Sequence, residues 1–302
     1  MYYIVFPLFW LLSLLHLRVL YCLADCVYPI IRFIVRYRLK VVRQNLREAF
    51  PEKSQKELRH IEARFYHLFC DYFVENIKLT TISEKQIRRR VTYSNTECFE
   101  QQVKAGKQFT FFCTGHYGNW EYGNSLPLMV NQHQQVIEIY HRVRNKALNR
   151  ILLRNRVRFG CECVKMRHTL LRLAGLRKTD GHYIVGFIAD QQPKWNAIHH
   201  FTPFLHHDTA VFTGAERIAK KFDAAMVYGR ITRPRRGYYH FEMIPITSQP
   251  KQHPDYELTD RYMQLLEEDI MREPYLWLWS HKRWTRTKEE WLRRQAENSE
   301  SK

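Results

Sequence analysis

The sequence feature that constrains the fold most strongly is a change in the pattern of apolar residues near residue 108. From there, short apolar runs alternate with stretches of helical period. We predict strands at 108–115, 135–141, 183–190, 224–232 and 238–246. We predict helices near 119–130, 145–158, 167–178, 208–222 and 258–273. This alternation is typical of an α/β core, and a run such as 183–190, apolar on both faces, indicates a buried strand. The last two strands are interpreted as an antiparallel hairpin at one edge of the sheet.

The chain ahead of this core is predicted to be mainly helical. Ser54 and Glu57 have the spacing of a capping box, and the apolar positions that follow keep a helical period. We therefore expect one amphipathic helix from 54 to about 79, and a short helix with loops from 80 to 107.

The N-terminus is strongly apolar. Residues 1–17 contain no Lys, Arg, Asp or Glu, and the apolar stretch resumes after Arg18. Basic residues then follow at 32, 36, 38, 40, 43 and 47. By the positive-inside rule, this pattern predicts a membrane anchor whose following domain stays cytoplasmic. Because 17 residues are short for a bilayer span, a helix lying in the membrane interface and a buried soluble helix remain alternatives.

These observations divide the chain into three parts. We expect a membrane-anchor region at 1–35, a catalytic domain at 36–290 and a disordered tail at 291–302. The length of 302 residues is enough for one large domain with a substantial core.

The formal charge of +18 predicts an anionic partner, which could be nucleic acid, a phospholipid surface, a phosphorylated substrate or an acidic carrier protein. The seven cysteines have no paired CxxC spacing, so neither a zinc ribbon nor a disulfide framework is expected.

The segment 115–123, GHYGNWEYG, carries the clearest chemical signal. His116 follows a predicted strand, and Glu121 lies five positions further on, too far around a single helix to face it. Gly118 would form a turn that interrupts regular structure between them, and Asn119 would cap a helix beginning near Trp120. We therefore predict that Glu121, in the first turn of that helix, points back at the imidazole.

A histidine paired with a carboxylate is suited to general-base catalysis. The carboxylate fixes the tautomer and stabilises the imidazolium, which fits acyl transfer to a hydroxyl. The structural alternative is a hydrogen-bonded histidine at a strand end beside a carboxylate at a helix start. Cys113 is interpreted as a buried, inert thiol. The sequence contains no GxSxG, GxGxxG, Walker or HExxH motif.

Three further features bear on a site. Asp190 and Gln191 follow the strand 183–190, where ligands bind in α/β sheets, so Asp190 could join the His116 site. The segment 142–158 is strongly basic, and the cations at 150, 154 and 158 share one helical stripe that could bind phosphate. The segment 274–284, PYLWLWSHKRW, mixes tryptophans with cations, as at a membrane interface or a phosphate-binding surface. Nucleic-acid stacking is disfavoured because no RNP, helix-turn-helix or zinc-finger pattern accompanies it.

Taken in order, these blocks resemble the bacterial lipid A biosynthesis (late) acyltransferases, part of the lysophospholipid-acyltransferase-like superfamily, in the versions found in Bacteroidetes. The shared signature is a histidine and an acid separated by four residues, the HX4E motif. The blocks that carry the resemblance are NLREAFP at 45–51, GHYGNWE at 115–121, RVRFG at 156–160, ADQQP at 189–193, FTGAE at 212–216 and PYLWLWSHKRW at 274–284.

The resemblance implies an α/β fold with a mixed central sheet flanked by helices, similar to glycerol-3-phosphate acyltransferase, after an N-terminal anchoring helix. It implies O-acyl transfer from acyl carrier protein to a hydroxyl of a phosphorylated glycolipid acceptor, a lipid A precursor. The reaction would take place at the cytoplasmic face of the inner membrane, without a covalent acyl-enzyme. No metal, cofactor or nucleic acid is implied.

The resemblance also assigns residues. His116, Glu121 and Asp190 would be catalytic, with Glu121 as the partner of His116. Substrate-binding roles fall to Asn119, Arg156, Arg158 and Gln191. Of these, Arg156 would bond either a carboxylate or a developing oxyanion.

The chain departs from the family pattern after Tyr140, where His141 and Arg142 replace an expected cation and proline. This difference concerns the acceptor more than the reaction. Two alternatives remain open, namely an acyltransferase acting on a lysophospholipid or amino-acid lipid, and a non-catalytic peripheral membrane protein.

Overall fold

The computed structural model describes residues 2–300. The N-terminal part is helical, as predicted. Its elements are α1 (Tyr2–Leu14), α2 (Leu17–Pro29), a π-helical turn (Ile30–Ile34), α3 (Leu39–Ala49) and α4 (Gln55–Lys78). The capping box is present, since the Ser54 side chain accepts from the Glu57 backbone and the Glu57 side chain accepts from the Ser54 backbone.

A seven-stranded sheet forms the centre of the fold. Its strands are β1 (Val91–Ser94), β2 (Phe109–Thr114), β3 (Gln134–Tyr140), β4 (Glu162–Lys165), β5 (His182–Ile188), β8 (Ala225–Arg235) and β9 (Tyr238–Thr247). The spatial order is β1-β9-β8-β2-β5-β3-β4. Every pairing is parallel except β8 with β9. A separate antiparallel pair consists of β6 (Phe201–Phe204) and β7 (His207–Ala210).

Helices cover the sheet and connect its strands. They are α5 (Glu84–Arg90), α6 (Glu97–Lys104), α7 (Lys146–Arg156), α8 (Thr169–Leu176), α9 (Gly214–Phe222), α10 (Glu257–Arg272) and α11 (Lys288–Glu300). Shorter 3-10 helices include Trp120–Leu128 and Val157–Phe159. The predicted mixed sheet flanked by helices is therefore confirmed.

Several details differ from the sequence prediction. The last two strands do form an antiparallel hairpin, but β1 pairs with β9 outside it, so the hairpin is not at the edge. The range 208–222, predicted as one helix, begins in strand β7 and becomes helical only at Gly214. The short strands β1 and β4 were not predicted, because four residues carry too little pattern to distinguish them from loops.

Both ends of the chain are helical in the described residues. Much of the tail predicted to be disordered, 291–302, lies in helix α11, while residues 301 and 302 fall outside the described part. At the N-terminus, no described helix is by itself long and apolar enough to cross a bilayer. Two stretches, 5–14 and 17–34, reach that length and composition only together, and they meet at a bend of 117°.

These N-terminal helices are attached to the domain and carry an exposed apolar surface. The ammonium group of Lys78 donates to the carbonyls of Ser13 and Leu15, at 2.8 and 2.9 Å. We use "N-terminal apolar surface" for the exposed large apolar side chains between residues 3 and 37. These are Tyr3, Leu8, Trp10, Leu11, Leu14, Leu15, Val19, Leu23, Val27, Ile30, Phe33, Ile34, Val35 and Tyr37.

The register of β2 and β5 positions the candidate site. The strands run parallel, and Thr114 pairs with Ile188 at their carboxyl ends. The next residues along each strand, up to His116 and Asp190, therefore leave the sheet side by side. This is the edge at which α/β sheets bind ligands.

The segment 274–284 lies against this edge rather than against solvent. Tyr117 and Trp277 form an isolated antiparallel bridge. Gly118 N donates to Leu276 O at 2.8 Å, and Leu278 N donates to His116 O at 3.1 Å. Trp277 and Trp279 are buried. The interpretation of these tryptophans as a membrane-interface surface is therefore wrong for both side chains, which pack inside the domain.

Candidate active site

The loop after β2 turns sharply at a glycine. Gly118 has a φ of +56°, and a Cβ placed there would lie 3.1 Å from the Tyr239 ring. Both the left-handed backbone and the close approach favour glycine. The turn separates His116 from the 3-10 helix Trp120–Leu128, as the sequence predicted in outline.

His116 is paired with Asp190. Its Nδ1 lies 2.6 Å from Asp190 Oδ1, and its backbone N–H donates to Asp190 Oδ2 at 3.0 Å. The side chain of His116 is 20% exposed, whereas that of Asp190 is only 2% exposed. The site therefore combines a reachable imidazole with a shielded carboxylate, and the expectation that Asp190 lies at the His116 site is confirmed.

Asp190 is ionised in this setting. Burial would raise its pKa, but the charge of His116 and the hydrogen bonds from His116 and Trp277 outweigh it and lower the pKa to about 2. Trp277 contributes through its indole N–H, which donates to Asp190 Oδ2 at 2.8 Å. An ionised, acceptor-only carboxylate requires His116 to donate from Nδ1.

The other imidazole nitrogen is therefore the basic one. With the proton on Nδ1, neutral His116 carries its lone pair on Nε2. The side-chain amide nitrogen of Gln191 lies 3.4 Å from this Nε2. Gln191 is thus placed at the mouth of the site, beside the atom that would accept a proton.

Glu121 has a different partner from the one predicted. Both of its oxygens bond to Arg156: Nε donates to Oε2 at 2.9 Å, and Nη2 donates to Oε1. Asn124 adds a further bond to Oε2 at 3.2 Å. The prediction that Glu121 points at the imidazole and fixes its tautomer is corrected, because Asp190 occupies Nδ1. The 3-10 helix begins at Trp120 and turns the Glu121 side chain inward, towards α7.

The Glu121–Arg156 pair is a buried, permanently charged unit. Burial would raise the pKa of Glu121, but the charge and hydrogen bonds of Arg156 hold it below its usual value. Burial likewise opposes the charge of Arg156, yet Glu121 keeps the pKa of that guanidinium raised. The Arg156 side chain remains 20% exposed. Of the two predicted roles for Arg156, bonding to a carboxylate is the one observed.

Two of the predicted substrate-binding residues form hydrogen bonds within the protein. Asn119 is buried, and its amide donates to Glu75 Oε2 at 2.8 Å. Arg158 donates to the backbone carbonyls of Leu79 and Ile82. Neither side chain forms a hydrogen bond with His116 in the described residues. Asn119 is also the residue before the 3-10 helix, but its side chain makes no capping bond.

The basic stripe on α7 packs against the N-terminal helix. Arg150 lies 4.2 Å from the Tyr2 ring centroid, and Arg154 lies 4.7 Å from that of Phe6. These cation–π contacts fix α1 on the domain. Two of the three arginines of this stripe therefore contact α1, and phosphate binding by the stripe stays a prediction.

Apolar and aromatic groups surround the imidazole. Trp120 meets His116 edge to face at 4.9 Å between ring centroids and lies 4.5 Å from Tyr72. A small apolar cavity of about 40 Å³ adjoins this cluster. It is lined by Phe65, Leu68, Phe69, Tyr72, Gly118, Trp120, Leu276, Trp277 and Leu278. Cys113 is buried and its pKa is raised by burial to about 12, as expected for an inert thiol.

Two supporting residues were not identified from sequence. Trp277 holds Asp190, although 87 positions separate them. Glu75 lies buried in α4 and accepts hydrogen bonds from Tyr21, Asn119 and Tyr239, at 2.8, 2.8 and 3.1 Å. The only sequence signal for Glu75 was a carboxylate within the apolar stripe of a helix, where burial requires polar partners.

Comparison with known proteins bears on the family of the chain. No curated protein matches the chain. The family model described as bacterial lipid A biosynthesis acyltransferase matches residues 1–286, which is almost the whole length. Because the match includes the His116 loop, Asp190 and the 274–284 segment, the chain belongs to the bacterial lipid A biosynthesis acyltransferase family.

Proposed function

We propose that this protein transfers a fatty acyl group from the thioester of acyl carrier protein to a hydroxyl of a lipid A precursor. His116 acts as the general base, and Asp190 is the carboxylate that orients it. The observation that carries the proposal is the 2.6 Å contact between His116 Nδ1 and Asp190, at the carboxyl edge of the sheet in a chain of this family.

The chemical step follows from the tautomer. Nε2 of His116 takes the proton of the acceptor hydroxyl as its oxygen attacks the thioester carbonyl. The carbon–sulfur bond then breaks, an ester forms, and the departing thiolate receives the proton from the imidazolium. Asp190 stabilises the positive charge that His116 carries between these two transfers. No covalent acyl-enzyme is needed.

Arg156 supports the same reaction without exchanging protons. A guanidinium stays charged throughout, so it can stabilise negative charge but cannot act as a base. Glu121 holds it by a two-point contact and thereby acts as a positioning residue. Gln191, beside Nε2, is placed to contact the acceptor hydroxyl or the thioester.

The remaining features support the partners. The net charge of +18 favours an acidic carrier protein and a phosphorylated glycolipid. The N-terminal apolar surface supports attachment to the inner membrane. The basic residues at 32–47 support a catalytic domain on the cytoplasmic face of that membrane. The apolar cavity beside Trp120 is too small for an acyl chain, so we propose that α4 and the 276–278 segment separate when the chain enters.

The test is an acyl-transfer assay with purified protein in membranes, a defined acyl carrier protein thioester and a phosphorylated disaccharide precursor. Mass spectrometry should show one added acyl group, and the His116→Ala variant should show none. If the precursor remains unchanged while a lysophospholipid is acylated, the acceptor is wrong but the reaction class stands. If neither is acylated, the proposed function is wrong.

A further inference from the structure

A larger cavity, about 440 Å³ in volume, lies between α4 and the turn of the β8–β9 hairpin. We call it the arginine cavity, because its lining includes Arg64, Arg233, Arg235 and Arg236. The other lining residues are His67, Pro234, Glu273 and Tyr275. At roughly 30 Å³ per water molecule, this volume exceeds what one phosphate group requires.

Two of the four arginines are held by one buried carboxylate, that of Asp71. Arg233 Nη2 donates to Asp71 Oδ2 at 2.5 Å, and Arg236 donates to Asp71 Oδ1 at 2.6 Å. Arg236 also pairs with Asp25 of α2, at 2.6 Å. These contacts order the hairpin turn and connect it to the N-terminal helices.

The other two arginines are not held by a hydrogen-bonded carboxylate, and of the two only Arg64 has a carboxyl group in the lining close enough, that of Glu273, for its charge to oppose the effect of burial on the carboxyl pKa. Arg64 and Arg235 are exposed, and neither forms an ion pair within residues 2–300. Their guanidinium carbons lie 3.6 and 3.7 Å from the ring centroids of Tyr275 and Tyr238. Stacking uses the face of a guanidinium and leaves its in-plane N–H groups able to bind an anion. The planar fork of arginine matches the oxygens of a phosphate group.

The position of the cavity relates it to the candidate active site. Arg64 and Tyr275 line the arginine cavity, and the next residue on each segment, Phe65 and Leu276, lines the small apolar cavity. That apolar cavity extends to Trp120, whose ring contacts His116. The same two segments therefore lie between the arginine cavity and the small apolar cavity beside the base.

The opposite side of the arginine cavity meets the N-terminal apolar surface. The His67 ring stacks on Tyr28 at 3.6 Å, and Tyr28 contacts Phe33 edge to face at 6.1 Å. Phe33 is 56% exposed. A ligand that fits both sides has an anionic head and apolar chains, which describes a phosphate-bearing lipid at a bilayer surface.

We infer that the arginine cavity binds a phosphate group of the lipid acceptor and thereby positions the acceptor hydroxyl towards His116. This inference rests on the proposed function for the identity of the lipid. The binding itself needs no catalysis and can be measured separately.

The first test is vesicle binding by the purified full-length protein. Two sets of phosphatidylcholine vesicles are compared at matched surface charge. One contains phosphatidic acid, which is a phosphate monoester, and the other contains phosphatidylglycerol. We expect wild-type protein to prefer phosphatidic acid, and Arg64→Gln/Arg235→Gln to lose about tenfold in affinity for those vesicles alone. The control Arg177→Gln/Arg217→Gln removes the same charge from exposed arginines elsewhere and should keep the preference. Equal losses in the two variants, or no loss in the first, would overturn the inference.

Inorganic phosphate, added as a competitor, separates a lipid head-group site from a site for the free ion. If the site binds a lipid head group, inorganic phosphate should displace the protein from phosphatidic acid vesicles only at concentrations far above that of the lipid phosphate. Equal potency of the two phosphates would overturn the lipid assignment.

The second test uses acyl transfer to phosphorylated and dephosphorylated acceptor. In Arg64→Gln/Arg235→Gln, KM for the phosphorylated acceptor should rise about tenfold, with kcat and the KM for the dephosphorylated acceptor unchanged. An unchanged KM in an active enzyme would refute the subsite while leaving the proposed function intact. If wild-type protein acylates no lipid but still prefers phosphatidic acid vesicles, the proposed function is wrong and the phosphate site stands.

Discussion

Two buried carboxylates, Asp190 and Glu121, lie near the candidate base, and they differ in the cation that each one holds. Asp190 pairs with an imidazole, which can give up its proton, whereas Glu121 pairs with a guanidinium, which cannot. The first pair can therefore move a proton, and the second can only supply fixed charge. The comparison shows that chain spacing alone does not reveal which acid serves a histidine.

The largest expected effect comes from removing the base itself. His116→Ala should reduce kcat for acyl transfer by about 10⁴-fold, the upper range for loss of general-base catalysis. The measurement is single-turnover transfer from acyl carrier protein thioester, with circular dichroism and membrane sedimentation as controls for folding and attachment. Transfer at the wild-type rate would show that another group acts as the base.

Asp190→Asn should have the next largest effect, about 10³-fold on kcat. The amide cannot balance an imidazolium, and its N–H₂ group can hold the imidazole in the wrong tautomer. The matched control is Glu121→Gln, which makes the same chemical change at the other buried carboxylate. If Asp190→Asn were milder than Glu121→Gln, the roles assigned to the two acids would have to be exchanged.

Glu121→Gln should lower kcat by about 100-fold, mainly through misplacement of Arg156 and the penalty of leaving a buried charge uncompensated. Thermal unfolding should show a loss of stability as well. Arg156→Lys keeps the positive charge but loses the two-point contact, so its kcat should lie between those of wild type and Glu121→Gln. An Arg156→Lys variant as impaired as Glu121→Gln would indicate that the geometry of the fork, rather than its charge, matters.

The dependence of stability on acid pH should report the ionised state of Asp190. Because the pKa of Asp190 falls from 3.8 to about 2 on folding, its ionised form stabilises the protein above pH 4. That contribution is lost as the pH falls through about 2, and it amounts to about 2 kcal/mol. The difference in unfolding free energy between wild type and Asp190→Asn should therefore shrink by about this amount from pH 5 to pH 2. A difference that stays constant over this range would contradict the ionised state of Asp190.

Trp277→Phe should have the smallest effect, because it removes one hydrogen bond to Asp190 and keeps the aromatic packing. We expect a several-fold loss in kcat, in line with about 1 kcal/mol for one such bond. The measurement is kcat at several pH values, since a purely structural role would leave the pH profile of the enzyme unchanged.

The sequence predicted the parts of the site that depend on single strands. His116 and Asp190 each follow an apolar run, and parallel strands end at one edge, so their proximity could be anticipated. The turn at Gly118 could also be predicted from the sequence, because the chain had to turn sharply after the strand.

Other parts depended on packing between distant segments and could not be predicted. The burial of Trp277 and Trp279 depends on the bridge between the 274–284 segment and Tyr117, which leaves no periodic pattern in the sequence. The partner of Glu121 depends on how α7 packs beside the 3-10 helix, which brings Arg156 to that carboxylate. The same tryptophans and arginines suit a membrane surface as well as a core, so composition did not distinguish the two environments.

The most direct test of the His116–Asp190 pair is the proton NMR signal of the His116 ring N–H. An imidazole Nδ1–H that donates to a buried carboxylate exchanges slowly with water, and its proton should resonate far downfield. We predict that wild type and Glu121→Gln both show this signal, and that Asp190→Asn and His116→Ala lack it. A signal that survives in Asp190→Asn but disappears in Glu121→Gln would contradict the account.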